Sequence, residues 1–433
     1  MNRPLLIDYY QLSMLEAYLK KKVSGRASFE LFVRRLPENR NFLVACGLEQ
    51  ALSYLSELSF SRDELLFLKS LGFGPELIDF LAGFSFSGQV WAMPEGTIFF
   101  ANEPILRIEA PLLEAQIVET RLINILHFQT LVASKAARLF LSARGRPLLD
   151  FGLRRSHEAD AGLLAARACY VSGFGGTATV EAGRCFGIPV TGTMAHSFIL
   201  AHESEEQAFR NFIEVHPNGP VLLIDTFHVE EAARLVARLF HEYIKKGIII
   251  RGVRIDSGDL LRLSKRVRGI FDERGCKDIK IFVSGGLDEN QIDRLLEAGA
   301  PIDGFGVGTL VDTSADAPFL DCAYKMVEYD GVPRMKFSEG KVTVPCRKQV
   351  FRRFDKKGYF QGDTVGVVGD DLSGTPLLVK VMEEGYVTKS EKITRIRKRF
   401  LENIASLPAN FRRLDCKTDY QPVLSDSLRD YVR

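Results

Sequence analysis

Gly252-Val253-Arg254-Ile255-Asp256-Ser257-Gly258-Asp259 is the stretch whose reading decides the fold. A short apolar run ends in acids and glycine, and an amphipathic segment, Asp259 to Arg274, follows at once. A strand that passes into a helix through such a turn is the repeating unit of a parallel sheet. On either side the same pattern recurs. Further short apolar runs are Pro147 to Phe151, Ile188 to Thr193, Val221 to Ile224, Ile279 to Val283 and Gly304 to Val307. Amphipathic segments such as Val229 to Lys246 and Asp288 to Ala298 separate them. This spacing implies right-handed βαβ units, in either an open doubly wound sheet or a barrel. The strand ends favour the barrel. Asp150, Thr193, Asp225, Asp256, Ser284 and Gly308 each stand at or just past the C-terminal end of an expected strand. In a (β/α) barrel those ends converge on one mouth, where chemistry sits. The expectation is an α/β fold with an irregular barrel of fewer than eight regular units.

The flanks read differently. Leu5 to Lys20 has helical spacing, Ala27 to Val33 and Thr97 to Ile108 read as strands, and Glu119 to Arg144 as a long helix. After about Tyr329 the alternation stops, and Gly331 to Asp355 reads as short β pieces. We therefore expect an N-terminal α/β domain over residues 1–120, a barrel over 121–330, and a segment 331–433 that packs back on the first domain.

Bulk properties set limits on function. Of 433 residues, 46% are hydrophobic and 26% charged, enough apolar material for a real core in two or three domains. A formal net charge of +2 provides no field to attract nucleic acid or a membrane surface. The basic run Lys389 to Arg399 alternates with apolar residues and reads as a solvated helix face. Seven cysteines are scattered without a CxxC pair, which points to free thiols rather than a disulfide framework or zinc cluster. Residues Met1 to Lys20 lack a basic start followed by an apolar run, and no stretch approaches the ~20 apolar residues of a membrane span. A soluble cytoplasmic protein is expected.

Several turns could carry chemistry. Asp150-Phe151-Gly152-Leu153-Arg154-Arg155 places an aromatic ring and two guanidinium groups at a strand end, a pattern suited to phosphate or carboxylate, although a surface turn with a salt bridge has the same composition. Gly192-Thr193-Met194-Ala195-His196-Ser197 places a histidine where it can titrate or act as nucleophile. In Arg254-Ile255-Asp256-Ser257-Gly258-Asp259 the acids can hold ribose hydroxyls or a magnesium-bound phosphate, and Asp259 can also cap the next helix. Asp225-Thr226 repeats the theme one strand earlier. Ser284-Gly285-Gly286 and Gly304-Phe305-Gly306-Val307-Gly308-Thr309 let backbone N–H groups approach an anion. GxxxxGK[ST] is absent, so this is no P-loop. Together these turns indicate a phosphorylated substrate without naming a reaction.

At these same residues the sequence resembles the nicotinate phosphoribosyltransferase family. The match begins at Asp8-Tyr9-Tyr10-Gln11-Leu12-Ser13-Met14, continues through Phe29 to Arg34 and Asn124 to Thr130, and then takes in Asp150 to Arg155, Gly192 to Ser197, Arg254 to Asp259 and Gly304 to Thr309 in family order. The resemblance implies an irregular barrel of the type II phosphoribosyltransferase kind and an N-terminal α/β domain completed by the C-terminal segment. It implies a homodimer with shared sites, Tyr10 of one subunit stacking the pyridine ring against Phe151 of the other. By the same similarity Arg254 faces the nicotinate carboxylate, and Arg154 the phosphate or pyrophosphate of phosphoribosyl pyrophosphate. Asp225 and Asp256 hold the ribose and Mg2+ side, with no protein side chain assigned as a metal ligand. Thr193 and Ser284 join the substrate site, and Gly285, Gly286, Gly306, Gly308 and Thr309 surround the 5′-phosphate. His196 matches the histidine that family members phosphorylate with ATP. Nicotinamide-using relatives carry aspartate where Ala178 stands, so the acid is the expected substrate; quinolinate enzymes are shorter. A non-catalytic nucleotide-sensing paralogue with the same fold is the alternative from another class, which the fold alone does not exclude and against which the presence of His196, Arg254 and Asp256 weighs. Glu158 departs from the pattern, since many members have glycine there.

Overall fold

The computed structural model describes residues 3–336 and 343–432. Positions 337–342 of the expected Gly331 to Asp355 β region, like residues 1, 2 and 433, lie outside them. The chain forms two compact units, one of residues up to Ser134 together with those from Ala317 onward, the other of Lys135–Asp316.

The Lys135–Asp316 unit is built on a parallel sheet of six strands. In spatial order these are Gly176–Thr177, Leu148–Asp150, Gly304–Val307, Lys280–Val283, Gly252–Ile255 and Val221–Leu223. Read in chain order, each strand pairs with the next except Gly176–Thr177 with Val221–Leu223, and the first, Leu148–Asp150, also pairs with the last, Gly304–Val307. That first-to-last pairing is the closure of a ring, which a doubly wound sheet lacks. The ring is open at one place, between Gly176–Thr177 and Val221–Leu223. A continuous strand was expected from Ile188 to Thr193, and the structure corrects this: only Val190 bridges, to Thr177. Pro189 has no N–H to give a ladder, and Gly192 weakens any extension. The architecture is thus a curled, incomplete barrel.

Local chemistry explains the helices between strands. Leu260–Glu273 begins at Asp259, whose side chain accepts the Arg262 N–H, so the capping reading of that acid holds. Glu289–Glu297 begins at Asp288 with a reciprocal bond to Gln291. Val229–Tyr243 buries Ala233, Val236, Ala237 and Phe240 on one face and stands its charges on the other.

The other unit is centred on a seven-stranded sheet. Its order is Val332–Pro333, Cys322–Tyr329, Arg26–Val33, Pro104–Pro111, Gln89–Ala92, Val379–Glu383 and Tyr386–Val387, with antiparallel pairing throughout. C-terminal strands lie at both ends of this order. A four-stranded sheet holds Lys348–Phe354 and Phe360–Val367. Buried ion pairs tie these late strands down: Lys348 to Glu30 at 2.8 Å and Arg352 to Asp363 at 2.6 Å. Arg352 also lies over the Phe100 and Phe360 rings. The basic C-terminal run falls at the start of helix Ile393–Ser406, which buries Ile396, Phe400 and Ile404.

Candidate active site

The C-terminal ends of five of the six strands, all but Val221–Leu223, and the Gly192 to Ala195 loop surround a cavity of about 430 Å³. Strand alternation decides which side chains reach it. In Leu148–Asp150 and the residue after it, Leu149 and Phe151 face the ring interior, and Asp150 is turned away and fully buried. Phe151 lies against Gly306: a Cβ there would stand 2.5 Å from the ring carbon Cε2. Glycine at 306 is therefore what lets the aromatic face lie flat across the mouth. Arg154 and Arg155, on the single turn Leu153–Arg155, line the same cavity.

Arg254 projects from the third residue of its strand and is half-buried. Its Nη1 donates to Thr193 Oγ1 at 2.7 Å and its Nη2 to the Met194 carbonyl at 3.0 Å. Its Nε is buried without an acceptor, and among the described residues no carboxylate lies within ion-pair distance of the guanidinium. Desolvation lowers its pKa, the charges of Asp256 and then Asp225 oppose that shift from beyond ion-pair distance, and Arg154 adds a smaller push downward. The Phe151 ring lies beside it, 5.9 Å from the guanidinium carbon. A half-desolvated cation short of an anion, next to an aromatic face, is suited to a planar aromatic acid.

The acids form a chain along neighbouring strands. Asp225 Oδ2 accepts from the Asp256 N–H at 2.9 Å and from Ser257 Oγ at 2.6 Å. Its Oδ1 stands 3.3 Å from His196 Nε2, and the histidine side chain is 40% exposed against 2% for the acid. Ser284 Oγ donates to Asp256 Oδ1. Gly285, at φ +96°, brings its backbone against the Asp256 carbonyl, where a Cβ would collide with the oxygen. Gly286 and Gly308 continue the lining, and Thr309 opens the short helix Thr309–Asp312.

Eleven of the residues singled out in the sequence therefore surround one cavity, from Phe151 through Arg254 to Thr309, and Asp225 and His196 join it through Asp256. Tyr10 belongs to the other unit, on helix Tyr9–Lys20, and is 47% exposed. Burial of its hydroxyl region and the Glu119 carboxylate raise its pKa to about 12. A second cavity, of about 920 Å³, shares Phe151, Thr193, Arg254 and Gly306 and continues between the strands to Pro147 and Pro220 at their other ends.

Two family models match the chain: the nicotinate phosphoribosyltransferase N-terminal domain over residues 5–127 and the nicotinate phosphoribosyltransferase family over 147–344. The chain belongs to the nicotinate phosphoribosyltransferase family. A nicotinate phosphoribosyltransferase of Mycobacterium tuberculosis is 45% identical over 98% of this chain and 92% of its own length. One from Bacillus subtilis is 41% identical over 84% of this chain and 76% of its own. The crystal structure of human nicotinic acid phosphoribosyltransferase superposes with a TM-score of 0.87 at 27% identity, covering 99% of both chains.

Within this family two positions gain meaning from the geometry. Ala178 is exposed in the mouth cavity, so a side chain there reaches the same space as Phe151 and Arg254. Glu158 has φ +85° and ψ 168°, a region essentially reserved for glycine, which accounts for the glycine many members carry. Sequence reasoning overlooked Thr177, Ser156 and Asp312, which hold the Phe151 turn from behind. No local signal marks them, because each reads as an ordinary polar residue of a loop or helix end.

Proposed function

We propose that this protein is a nicotinate phosphoribosyltransferase acting in NAD biosynthesis, forming nicotinate mononucleotide and pyrophosphate from nicotinate and phosphoribosyl pyrophosphate, and that ATP stimulates it. The observation that carries the reading is Arg254: a half-buried guanidinium without an acidic partner, beside the Phe151 face and opposite the glycine turns. Nicotinate fits with its carboxylate on Arg254 and its ring on Phe151, which leaves the pyridine nitrogen directed at the ribose. That nitrogen is already a nucleophile, so no strong base is needed. Backbone N–H groups at Gly285, Gly286 and Gly308 receive the 5′-phosphate, and Arg154 the pyrophosphate.

As the bond to pyrophosphate breaks, the anomeric carbon becomes cationic, and the Asp225 and Asp256 carboxylates stabilise it from below. Mg2+ bound to the pyrophosphate supplies charge neutralisation on the leaving group. Asp225 already accepts on both oxygens and Asp256 on one, and no cluster of three metal-ligating side chains occurs among the described residues. The donor set therefore fits a metal carried in by its phosphates. With its Nε2 proton on Asp225, His196 presents Nδ1 as the nucleophile for the ATP γ-phosphoryl group. We further propose a homodimer in which Tyr10 of the partner subunit covers the open face of the pyridine ring, its large exposed ring being the kind of side chain such a contact uses. Among the described residues no helix is long and apolar enough to cross a membrane, which is compatible with a cytoplasmic site of action.

The test offers nicotinate and nicotinamide in parallel with phosphoribosyl pyrophosphate and Mg2+, with and without ATP, and measures mononucleotide by chromatography. Product from nicotinate alone is expected, with ATP stimulation lost in His196→Ala and basal turnover kept. Product from nicotinamide at a comparable rate, or from neither, overturns the reading.

A further inference from the structure

Behind the Phe151 turn lie two buried carboxyl groups that the reaction does not use, Asp150 and Asp312. Asp150 Oδ1 accepts the Gly152 N–H at 2.9 Å, and its Oδ2 accepts from Thr177 Oγ1 at 2.6 Å. Asp312, the last residue of Thr309–Asp312, accepts from Ser156 Oγ at 2.5 Å through Oδ2. Its Oδ1 is buried and receives no hydrogen bond. Gly152 is pressed onto this carboxyl so closely that a Cβ would collide with it. The two acids meet at Gly152, whose N–H is held by Asp150 and whose Cα is pressed on Asp312, and each acts on the other; two carboxylates so placed cannot both be ionised away from water. A proton on Asp312 Oδ1, donated to Asp150, resolves both the repulsion and the orphaned oxygen.

We propose that Asp312 is a positioning residue for substrate binding: as a neutral acid it bonds to Asp150 on one side and Ser156 on the other, fixing the turn that carries Phe151 and Arg154. The inference deepens the function proposed above and rests on it. Phe151 immediately precedes the first anchor point, Gly152, and Arg154 lies between it and the second, Ser156, so locking those anchors sets the ring plane and the guanidinium position. Burial, then the Asp150 charge, pushes the Asp312 carboxyl up to about 9, and burial also raises Asp150. The elements packed on the Thr309–Asp312 helix are Leu153–Arg155 and Ala159–Val171. They and the loop between them bring Arg154, Arg155, His157, Glu158, Asp160 and Arg167, but the charge acting on Asp312 is that of Asp150.

The experiment compares wild type with Asp312→Asn and Asp312→Ala, both in steady-state kinetics from pH 6.5 to 10 and in hydrogen exchange over residues 150–158 without substrate. Asparagine can donate to Asp150 and accept from Ser156, so Asp312→Asn is expected to keep KM and kcat within about threefold. Wild type should lose affinity as pH rises through about 9, when the shared proton leaves and the carboxylates repel, and Asp312→Asn should lack that alkaline limb. Asp312→Ala should raise KM for phosphoribosyl pyrophosphate at least tenfold, with a smaller change in kcat, and speed exchange across the turn. Stability gives an independent readout. The folded state holds a proton that an unfolded aspartate releases near pH 4, so wild-type stability declines relative to Asp312→Asn between about pH 4 and 9. The melting-temperature gap should therefore widen in favour of asparagine as pH rises. Impairment of Asp312→Asn equal to that of Asp312→Ala, an alkaline limb that persists in Asp312→Asn, or unchanged exchange in Asp312→Ala overturns the proposal. If Asp312→Ala does not fold, the asparagine pH profile and melting series decide. A wild type inactive on nicotinate sinks the functional reading instead, while the exchange and melting results still judge the Asp312 contact.

Discussion

Replacing Arg254 by glutamine removes a cation but keeps a side chain of similar reach. The guanidinium spends one donor on Thr193 Oγ1 and one on the Met194 carbonyl, leaving others for a ligand. Hydrogen bonds to a charged group contribute about 1.5–3 kcal/mol each. Glutamine can keep one neutral bond, so a net loss of about 2–4 kcal/mol is expected, or roughly 30- to 1000-fold in nicotinate affinity. The loss should appear in KM for nicotinate, while KM for phosphoribosyl pyrophosphate moves less than about threefold, because Arg154 and the glycine turns are untouched. Folding should not suffer: a half-desolvated cation without an acidic partner is no source of stability, and the variant should melt at or slightly above the wild-type temperature. Initial rates with each substrate varied in turn, alongside calorimetric melting, measure all of this. Thr193→Val is the control, since it loosens Arg254 yet retains the charge, and a loss below about fivefold is expected because the guanidinium keeps its bond to the Met194 carbonyl and its free donors for the ligand. Equal losses for both substrates, or full nicotinate affinity without the cation, would refute the assignment.

Two further substitutions probe the same unit. Gly306→Ala drives a methyl into the Phe151 ring, which can swing aside; nicotinate KM should rise about tenfold for a loss of roughly 1 kcal/mol of stability, and a variant with wild-type KM removes Phe151 from the site. Glu158→Gly relieves a conformation that costs a non-glycine residue about 1–3 kcal/mol, against the loss of one exposed cap to the Asp160 N–H. Its melting temperature should rise by about 2–4 °C, and no rise on calorimetry means the strain is offset elsewhere.

The parallel sheet could be read from the sequence because its strands, buried on both faces, are continuous apolar runs, and because a polar residue or glycine punctuates each end. Arg254, Asp256 and the glycine turns were visible for the same reason: a barrel gathers strand ends whatever lies between them. Ile188 to Thr193 misled, since apolar character mimics a strand and the missing Pro189 donor shows only in the ladder. Asp312 was invisible on principle. Its meaning arises from Asp150, more than 160 positions earlier, and no local pattern registers a contact between two acids that repel when both are charged. Pairing of late strands with early ones in the other unit, Cys322–Tyr329 with Arg26–Val33 and Val379–Glu383 with Gln89–Ala92, is equally non-local, and so is the buried ion pair of Lys348 with Glu30.

The gap in the ring between Thr177 and Val221 has a consequence for how binding free energy is distributed. Asp256, Ser284, Gly306 and Phe151 follow strands joined by an unbroken ladder, so their positions are set when the chain folds. Thr193 to His196 hang in the gap, held to that arc by Arg254 and Asp225 rather than by a strand. Contacts made by the arc cost a ligand little ordering, whereas those made across the gap carry the entropy of stilling a loop. A ligand held by Arg254 therefore meets both kinds of contact at once, since the same guanidinium belongs to the arc and bonds Thr193 and Met194 in the loop.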